Sequence, residues 1–547
     1  MSKPDQSSAS GGKRLDSWKE IAAHLRRDIR TVQRWEKNER LPVYRKVHDK
    51  LASVFAYEKE LDEWWHKGGA GEVRKSAPGV HETARRPRLA VLPLRNLSGD
   101  ASQEYFSDGL TEELIGQLGQ IDPDKMSIIA RGSSMQYKHS PKSLDKISRE
   151  LDAAYLLEGS VRRHGERVRI TVGLIRASDQ SQLWSESYDR DLRDILELQV
   201  EVARAVSNSI ALKVSRSSHN NVAGARQVDP EAYNAYLRGR YFWNERRPES
   251  IRKALREFEN AIERDPSFPS AYAGLADCHA LLASIWLGAV PPIEAMPRAK
   301  AAARRALELD PSSAEAHASL GYAQLWFDWD WAAAERSFLR ALELNPSYGP
   351  ARQWYAAYLG TIGRASDSYT EVAQAQRLDP LSRILGVALG ELLYFEGEFD
   401  RSIEESKRVL EVDPSFVLAI YNLGRAYSQK GRHREAIAEL KRASELSNYP
   451  AIMMQLGFAY ALAGKKADAR KLLTKLSSLG RKSYVPSFYA GAIYTGLRET
   501  DRAFELMMRA REERCDYLVH LAKEPGAASL HGHPRFADLV PHPPAAA

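Results

Sequence analysis

The chain has 547 residues, 43% hydrophobic and 28% charged, which is too long for one core and excludes a wholly disordered chain; three or four domains are expected. A net charge of +7 is too small at this length to imply nucleic acid by itself, but residues 13–50 hold twelve Lys/Arg against six Asp/Glu, a local surplus. The two cysteines, Cys278 and Cys515, lack metal-ligand spacing, the first residues lack the apolar core of a signal peptide, and no apolar run approaches the roughly 20 residues that span a bilayer; a reducing, cytoplasmic setting without a membrane partner is expected.

Residues 1–14 are Ser/Gly-rich and read as a disordered tail. In "SWKEIAAHL", Ser17 and Glu20 stand at capping-box spacing, and Trp18, Ile21, Ala22 and Leu25 form one apolar stripe. Arg26 and Arg27 occupy a turn, and Asp28 suits the cap of a second helix with Ile29, Val32 and Trp35 inward. The other side of that helix carries Arg30, Thr31, Gln33, Arg34 and Lys37. Arg donates a bidentate pair to guanine and Gln pairs with adenine, while Arg and Lys equally hold phosphates. "LPVYRKVHDKLASVFAY" then predicts two short strands joined by a basic loop with Arg45, Lys46, His48 and Lys50, a candidate wing. Tyr57, Leu61, Trp64 and Trp65 line a closing helix.

This arrangement over residues 15–66, with its "TVQRWE…LPV" core, resembles the winged helix-turn-helix of the MerR and phage-excisionase group. The resemblance implies DNA contacts by Arg30, Thr31, Gln33, Arg34, Arg45 and Lys50; Lys37 and Lys46 join them by charge. No sensing tail of the MerR kind follows, so effector chemistry is not carried over. The alternative is a basic helical domain that docks protein. Residues 67–87, rich in Gly, Pro and charge, read as a linker.

Residues 88–215 alternate strand-like and helix-like patterns. "RLAVLPL" and "MSIIA" suit buried strands, and Leu110, Leu114, Ile115 and Leu118 line a helix, as do Leu144, Ile147 and Leu151. "AYLLEGSV", the turn "RHGE" and "RVRITVGLI" follow; Val168, Ile170, Val172 and Leu174 alternate with polar residues as in a half-buried antiparallel strand. "QLWSESYD" is its expected neighbour, and Ile195, Leu198, Val202, Ala205 and Ser209 stripe a long helix. A mixed-sheet α/β domain results. Its stretches "LAVLPLRNLSGDASQEYFSDGLTEELI", "YLLEGSVRR" and "LWSESYDRDL" resemble a bacterial domain of the TolB-amino-terminal, or FlgO-like, group, which implies a ligand or assembly role.

Chemistry-bearing clusters are sparse. Asp100, Glu104, Asp108, Glu112 and Glu113 lie close together, and the last three are read as charges favouring a helix N-terminus. "GAGEVR" lacks the glycines and strand of a dinucleotide loop, and His531 and His533 lack further ligands. The chain is therefore expected to have no catalytic residue, metal or cofactor and not to be an enzyme.

From residue 228 to 525 the pattern is helical and periodic. Pro230, Pro266, Pro311, Pro346, Pro380, Pro414, Pro450 and Pro486 recur at 36, 45, 35, 34, 34, 36 and 36 residues, each marking a turn between helical pairs. Gly424, Ala436 and Ala443 are spaced by 12 and 7, as are Gly491, Ala503 and Ala510, small residues where helices approach closely. The pattern resembles the tetratricopeptide (TPR) repeat, about seven copies, and implies a protein or peptide partner in a concave groove. The long interval holds an insertion near "SIWLGAVPPIEAMPR", and "LWFDWDW" is read as packing between repeats. Residues 526–547 form a tail expected to pack on the last repeat.

The expected fold class is multidomain: a small winged helix-turn-helix, a mixed-sheet α/β domain and an all-α TPR superhelix. The expected function is a DNA-binding transcriptional regulator with double-stranded DNA and a TPR-bound protein as partners. A palindromic operator would favour a homodimer. The alternative is a TPR interaction scaffold whose first domain docks protein rather than DNA.

Overall fold

The computed structural model describes residues 13–25, 32, 36, 41–48, 51–66, 86–121, 123, 125–210 and 227–541. Two compact units divide the chain, Met1–Arg85 and Arg86–Ala547.

In the first unit, β1 (Arg14–Leu15), α1 (Trp18–His24), β2 (Tyr44–His48), β3 (Leu51–Tyr57) and α2 (Glu58–His66) follow in order. The three strands form an antiparallel sheet of order β1-β3-β2. Leu15, Ile21, Ala22, Leu25, Val32, Leu41, Ala56 and Leu61 make its core. The stripe expected on α1 is thus the buried one, with Trp18 packed at its margin.

The second unit begins with a six-stranded mixed sheet of β4 (Arg88–Val91), β5 (Arg95–Asn96), β6 (Ser127–Ile128), β7 (Tyr155–His164), β8 (Arg167–Arg176) and β9 (Gln182–Asp191). Strands β6, β4 and β7 run parallel, β5 adds to β7 in parallel, and β7-β8-β9 form an antiparallel meander. Val168, Ile170, Val172 and Leu174 point into the core while Arg167 and Arg169 face out, as the alternation requires. The first strand stops at Val91, short of the expected Leu94. Helices α3 (Glu104–Ile121), α4 (Arg131–Ser134), α5 (Leu144–Leu151) and α6 (Ile195–Ser209) complete this region. On α6 the buried row runs through Ala203 and Val206, not Ala205 and Ser209.

Eight helical pairs follow among the described residues. They are α7 (Pro230–Asn244) with α8 (Pro248–Arg264), α9 (Pro269–Ala283) with α10 (Pro292–Leu309), α11 (Ala314–Ala323) with α12 (Trp331–Leu344), and α13 (Gly349–Thr361) with α14 (Ala365–Leu378). Then come α15 (Arg383–Phe395) with α16 (Phe399–Val412), α17 (Val417–Gln429) with α18 (His433–Leu446), α19 (Pro450–Leu462) with α20 (Lys466–Gly480), and α21 (Ser487–Leu497) with α22 (Thr500–Glu512). Pro230 and Pro450 open their helices at the first turn, where a missing N–H costs nothing. Close approach explains the small residues: a Cβ on Gly424 would lie 2.6 Å from the Leu440 side chain. The aromatic cluster forms a π-helical turn at Gln324–Asp328, and Leu325, Trp326 and Trp331 are buried with Tyr322, Phe338 and Trp354, as core packing requires.

The α/β region and the helical array, expected as separate domains, share one core: Leu110, Val172 and Val202 belong to the same buried cluster as Tyr233, Leu237 and Phe258. The α/β region also meets a later turn of the array. Ala130 N–H donates to the Leu378 carbonyl at 2.7 Å, and the Ser133 hydroxyl donates to Asp379 at 2.5 Å. No helix of the described residues is long and apolar enough to cross a membrane.

Candidate functional site

The first unit builds its helix start as the spacing predicts. Glu20 N–H donates to Ser17 Oγ at 3.2 Å, and the Glu20 carboxylate reaches back to the Asp16 N–H at 3.0 Å, one residue before the cap. His24 on α1 meets Asp62 on α2 at 2.8 Å, tying the two helices. Val32, predicted to face inward from the second helix, is fully buried. Arg30, Thr31, Gln33, Arg34, Lys37 and Lys50 lie outside the described residues. Arg45, Lys46 and His48, expected in the loop between the strands, fall instead on β2, opposite Val54, Ser53 and Leu51, because the pairing with β3 runs on to His48; their side chains lie outside the described ones. One feature escaped the sequence reading. Tyr44 stacks on its cross-strand partner Phe55 at 5.4 Å, Tyr57 meets Phe55 edge-on at 6.0 Å, and the Arg14 guanidinium sits 4.2 Å over Phe55. Period-2 alternation around the buried Ala56 is the signal that could have placed these rings together.

In the second unit, charged groups converge inside the fold. The acids of α3 do not act at its N-terminus: only Glu104 occupies the first turn. Lys138 Nζ lies 2.6 Å from Asp108 and 2.8 Å from Glu104. Glu112 takes Arg131 at 2.9 Å, Arg240 Nε at 3.0 Å and Asn244 at 2.9 Å. Burial acts to raise the Glu112 pKa, but Arg240 and Arg131 hold it below the usual carboxylate range. Among the described residues, Glu113 has only the Tyr236 hydroxyl, donating at 2.6 Å, and burial pushes its pKa up to about 7.

The array's inner helices are covered by the chain itself. After α22, residues 515–527 run back across the first helix of successive pairs. His520 stacks on Phe395 at 4.9 Å, Lys523 donates to the Gly360 carbonyl at 2.9 Å, and Tyr517 packs on Phe488 at 4.9 Å. Arg425, 2% exposed, is the hub: it donates to Glu524 at 3.0 Å, to Glu391 at 3.3 Å and to the Tyr517 hydroxyl at 2.5 Å, with Tyr394 at 4.1 Å beneath its guanidinium. The insertion after α9 crosses to the same place. Ile285 N–H donates to Asp516 at 3.0 Å, the Tyr489 hydroxyl donates to the Ile285 carbonyl, and Trp286 meets Tyr421 edge-on at 4.5 Å. Between these crossings and α3 lies a cavity of about 1480 Å3. His531 and His533 remain surface residues; His533 stacks on Phe504 at 3.9 Å, and among the described residues no cluster could hold a metal ion.

Comparison with known proteins places these parts. Residues 85–205 match the HilA/YgeH-like transcriptional regulator, second domain, and residues 387–451 and 421–477 match the tetratricopeptide repeat. The region expected to resemble the TolB and FlgO group is therefore HilA-like. The Rhizobium meliloti protein named "Putative adenylate cyclase 3" is 37% identical over 243 residues, 44% of this chain and 40% of that protein. The transcriptional regulator HilA of Salmonella typhimurium is 22% identical over 319 residues, 58% of this chain and 55% of that protein. The chain spans about half the length of these curated relatives. Among solved structures, YrrB, a TPR protein with an unusual peptide-binding site, is 24% identical over 35% of this chain and 92% of that one, with a TM-score of 0.24. A thermophilic TPR protein of Thermus thermophilus is 18% identical over 36% of this chain and 98% of that one, with a TM-score of 0.31.

The expectation that the chain is not an enzyme is corrected by the Rhizobium relative, whose name points, weakly at that coverage, to enzymatic function. Short motifs are all that a residue-level reading can find, and a likeness spread over 243 residues needs none of them. What the matches establish is a chain that joins a HilA-like regulator domain to tetratricopeptide repeats.

Proposed function

We propose that the protein is a DNA-binding transcriptional regulator of the cytoplasm. Its first unit grips duplex DNA, and its TPR array meets a protein or peptide partner. The observation that carries this reading is the HilA/YgeH-like second domain at 85–205, preceded by a small basic unit with a capped helix and a two-stranded hairpin. Arg30, Thr31, Gln33, Arg34 and Lys37 supply the recognition helix, and Arg45, Lys46 and Lys50 the wing. A pair of units on a palindromic site would make the protein a homodimer. Any peptide entering the inner face of the array competes with residues 515–527.

The test is a gel-shift titration of the full chain on fragments selected from random duplexes. Arg30→Ala with Arg34→Ala should weaken specific binding by about 1–3 kcal/mol for each lost bidentate contact, and wild-type affinity should fall steeply with salt. Unaltered affinity and a flat salt response would reassign the first unit to protein docking.

A second reading draws on the 37% identity to the Rhizobium protein: this chain shares the adenylate cyclase activity that protein is named for. Incubation of the full chain with ATP and divalent metal, followed by assay for cyclic AMP, decides it; no product above the ATP blank removes it.

A further inference from the structure

The cavity of about 1480 Å3 inside the second unit is larger than pockets that take small organic ligands, about 300–1,000 Å3. Most charges along its wall are matched. Glu112 is held by Arg131, Arg240 and Asn244, Asp277 accepts from the Ser319 hydroxyl at 2.5 Å and faces Arg240 at 3.8 Å, and Glu245 pairs with Arg247 at 2.7 Å. Arg246 is different. It follows α7 in left-handed backbone conformation, φ 56°, and its guanidinium lies 3.5 Å over the Trp243 ring. Among the described residues it has no salt-bridge partner, yet its side chain is solvent-accessible within the cavity.

The nearest surroundings of Arg246 are aromatic. Among the described residues, the indole N–H of Trp243, which is 2% exposed, has no hydrogen-bond partner, and the buried Tyr348 hydroxyl has none either. Tyr348 and Tyr322 both lie close enough to Arg246 for its positive charge to act on their hydroxyls. Tyr322 in turn packs on Trp326 at 4.3 Å and Trp354 at 5.0 Å, and all three rings line the cavity. A cation with no direct ion pair among the described residues, beside flat apolar walls, is complementary to a flat anion. Asp277 and Glu112 also act on Arg246, but each faces Arg240, Asp277 at 3.8 Å and Glu112 at 3.0 Å, so their charge is shared with a second cation.

We propose that this corner of the cavity binds a small aromatic organic anion, its acidic group on Arg246 and its ring among Tyr322, Trp326 and Trp354. Carboxylate and phosphate ester share the chemistry that Arg246 recognises, so the probes are salicylate and phenyl phosphate. Each is titrated into the full chain, with tryptophan fluorescence and thermal midpoint as readouts. At least one should give a saturable change and raise the midpoint, and the tighter of the two names the acidic group. Arg246→Gln should weaken that binding at least ten-fold, Arg246→Lys less, and neither should lower the unliganded midpoint by more than the lost contact with Trp243 accounts for, since no ion pair is lost. Saturation by neither probe overturns the site. So does equal binding by Arg246→Gln, or a variant midpoint so reduced that Arg246 must serve the fold instead.

Discussion

The cores of the two units treat charge differently. In the first, the core among the described residues is eight apolar side chains, and the basic surplus of residues 13–50 is a feature of its sequence. In the second, charge is drawn inside: Arg425 is 2% exposed, Arg240 and Glu112 meet across the junction of the α/β region and the array, and Asp516 is 6% exposed. Charge left outside is free to meet a partner, whereas charge taken inside must be matched by the chain or the fold fails. The contrast is between a described core that is wholly apolar and an interior that holds charges paired by the chain itself.

The largest effect should come from that interior. Arg425→Met leaves Glu524 and the half-buried Glu391 without their cation and should cost the second unit about 3 kcal/mol, read as a lowered calorimetric transition while the first unit's stays in place. A loss near zero would mean that the hub is ornamental and the contrast false. Next comes pH. Burial pushes Asp516 up to about 7 against hydrogen bonds from the Ile285 N–H and other backbone groups. A carboxyl raised in the folded state adds stability that is complete below its unfolded value and lost as pH rises through its folded value. The second unit should therefore weaken between about pH 4 and 7, losing about 1.4 kcal/mol for each tenfold fall in proton concentration across that window, and Asp516→Asn should remove that share of the slope. Burial holds His520 down to about 4, so its contribution runs the other way, lost as pH falls below about 6.5. The difference between wild type and Asp516→Asn isolates the carboxyl; identical pH profiles would dismiss it. The smallest effect belongs to the first unit. Ser17→Ala removes the helix cap and should cost about 1 kcal/mol, seen only in the first unit's transition.

Much of the fold is readable in the chain because its signals are local. The proline period and the spacing of Gly424 to Ala436 announce the helical pairs because they recur along the chain, and Val168 to Leu174 announces a half-buried strand because it alternates between adjacent residues. The Ser17 and Glu20 cap is readable for the same reason. The acids of α3 mislead because their partners are distant: Glu112 is explained by Arg240, and Glu113 by Tyr236, more than a hundred positions later. The covering of the inner helices leaves no periodic trace either. Tyr517 and Glu524 look like the polar end of a repeat until Arg425, some ninety residues earlier, is brought beside them. Arg246 gives no signal at all, since an unmatched cation is recognised only when every neighbour is known.

Stacked repeats ordinarily come apart from one end, because each touches only the next. The stretch that returns from α22 to Gly360, Tyr394 and Arg425 removes that freedom here. A pair cannot peel away without first breaking bonds that the last pair's own continuation makes several repeats upstream. Melting of the array should accordingly be concerted, and a proteolytic nick near residue 515 should loosen helices far from the cut.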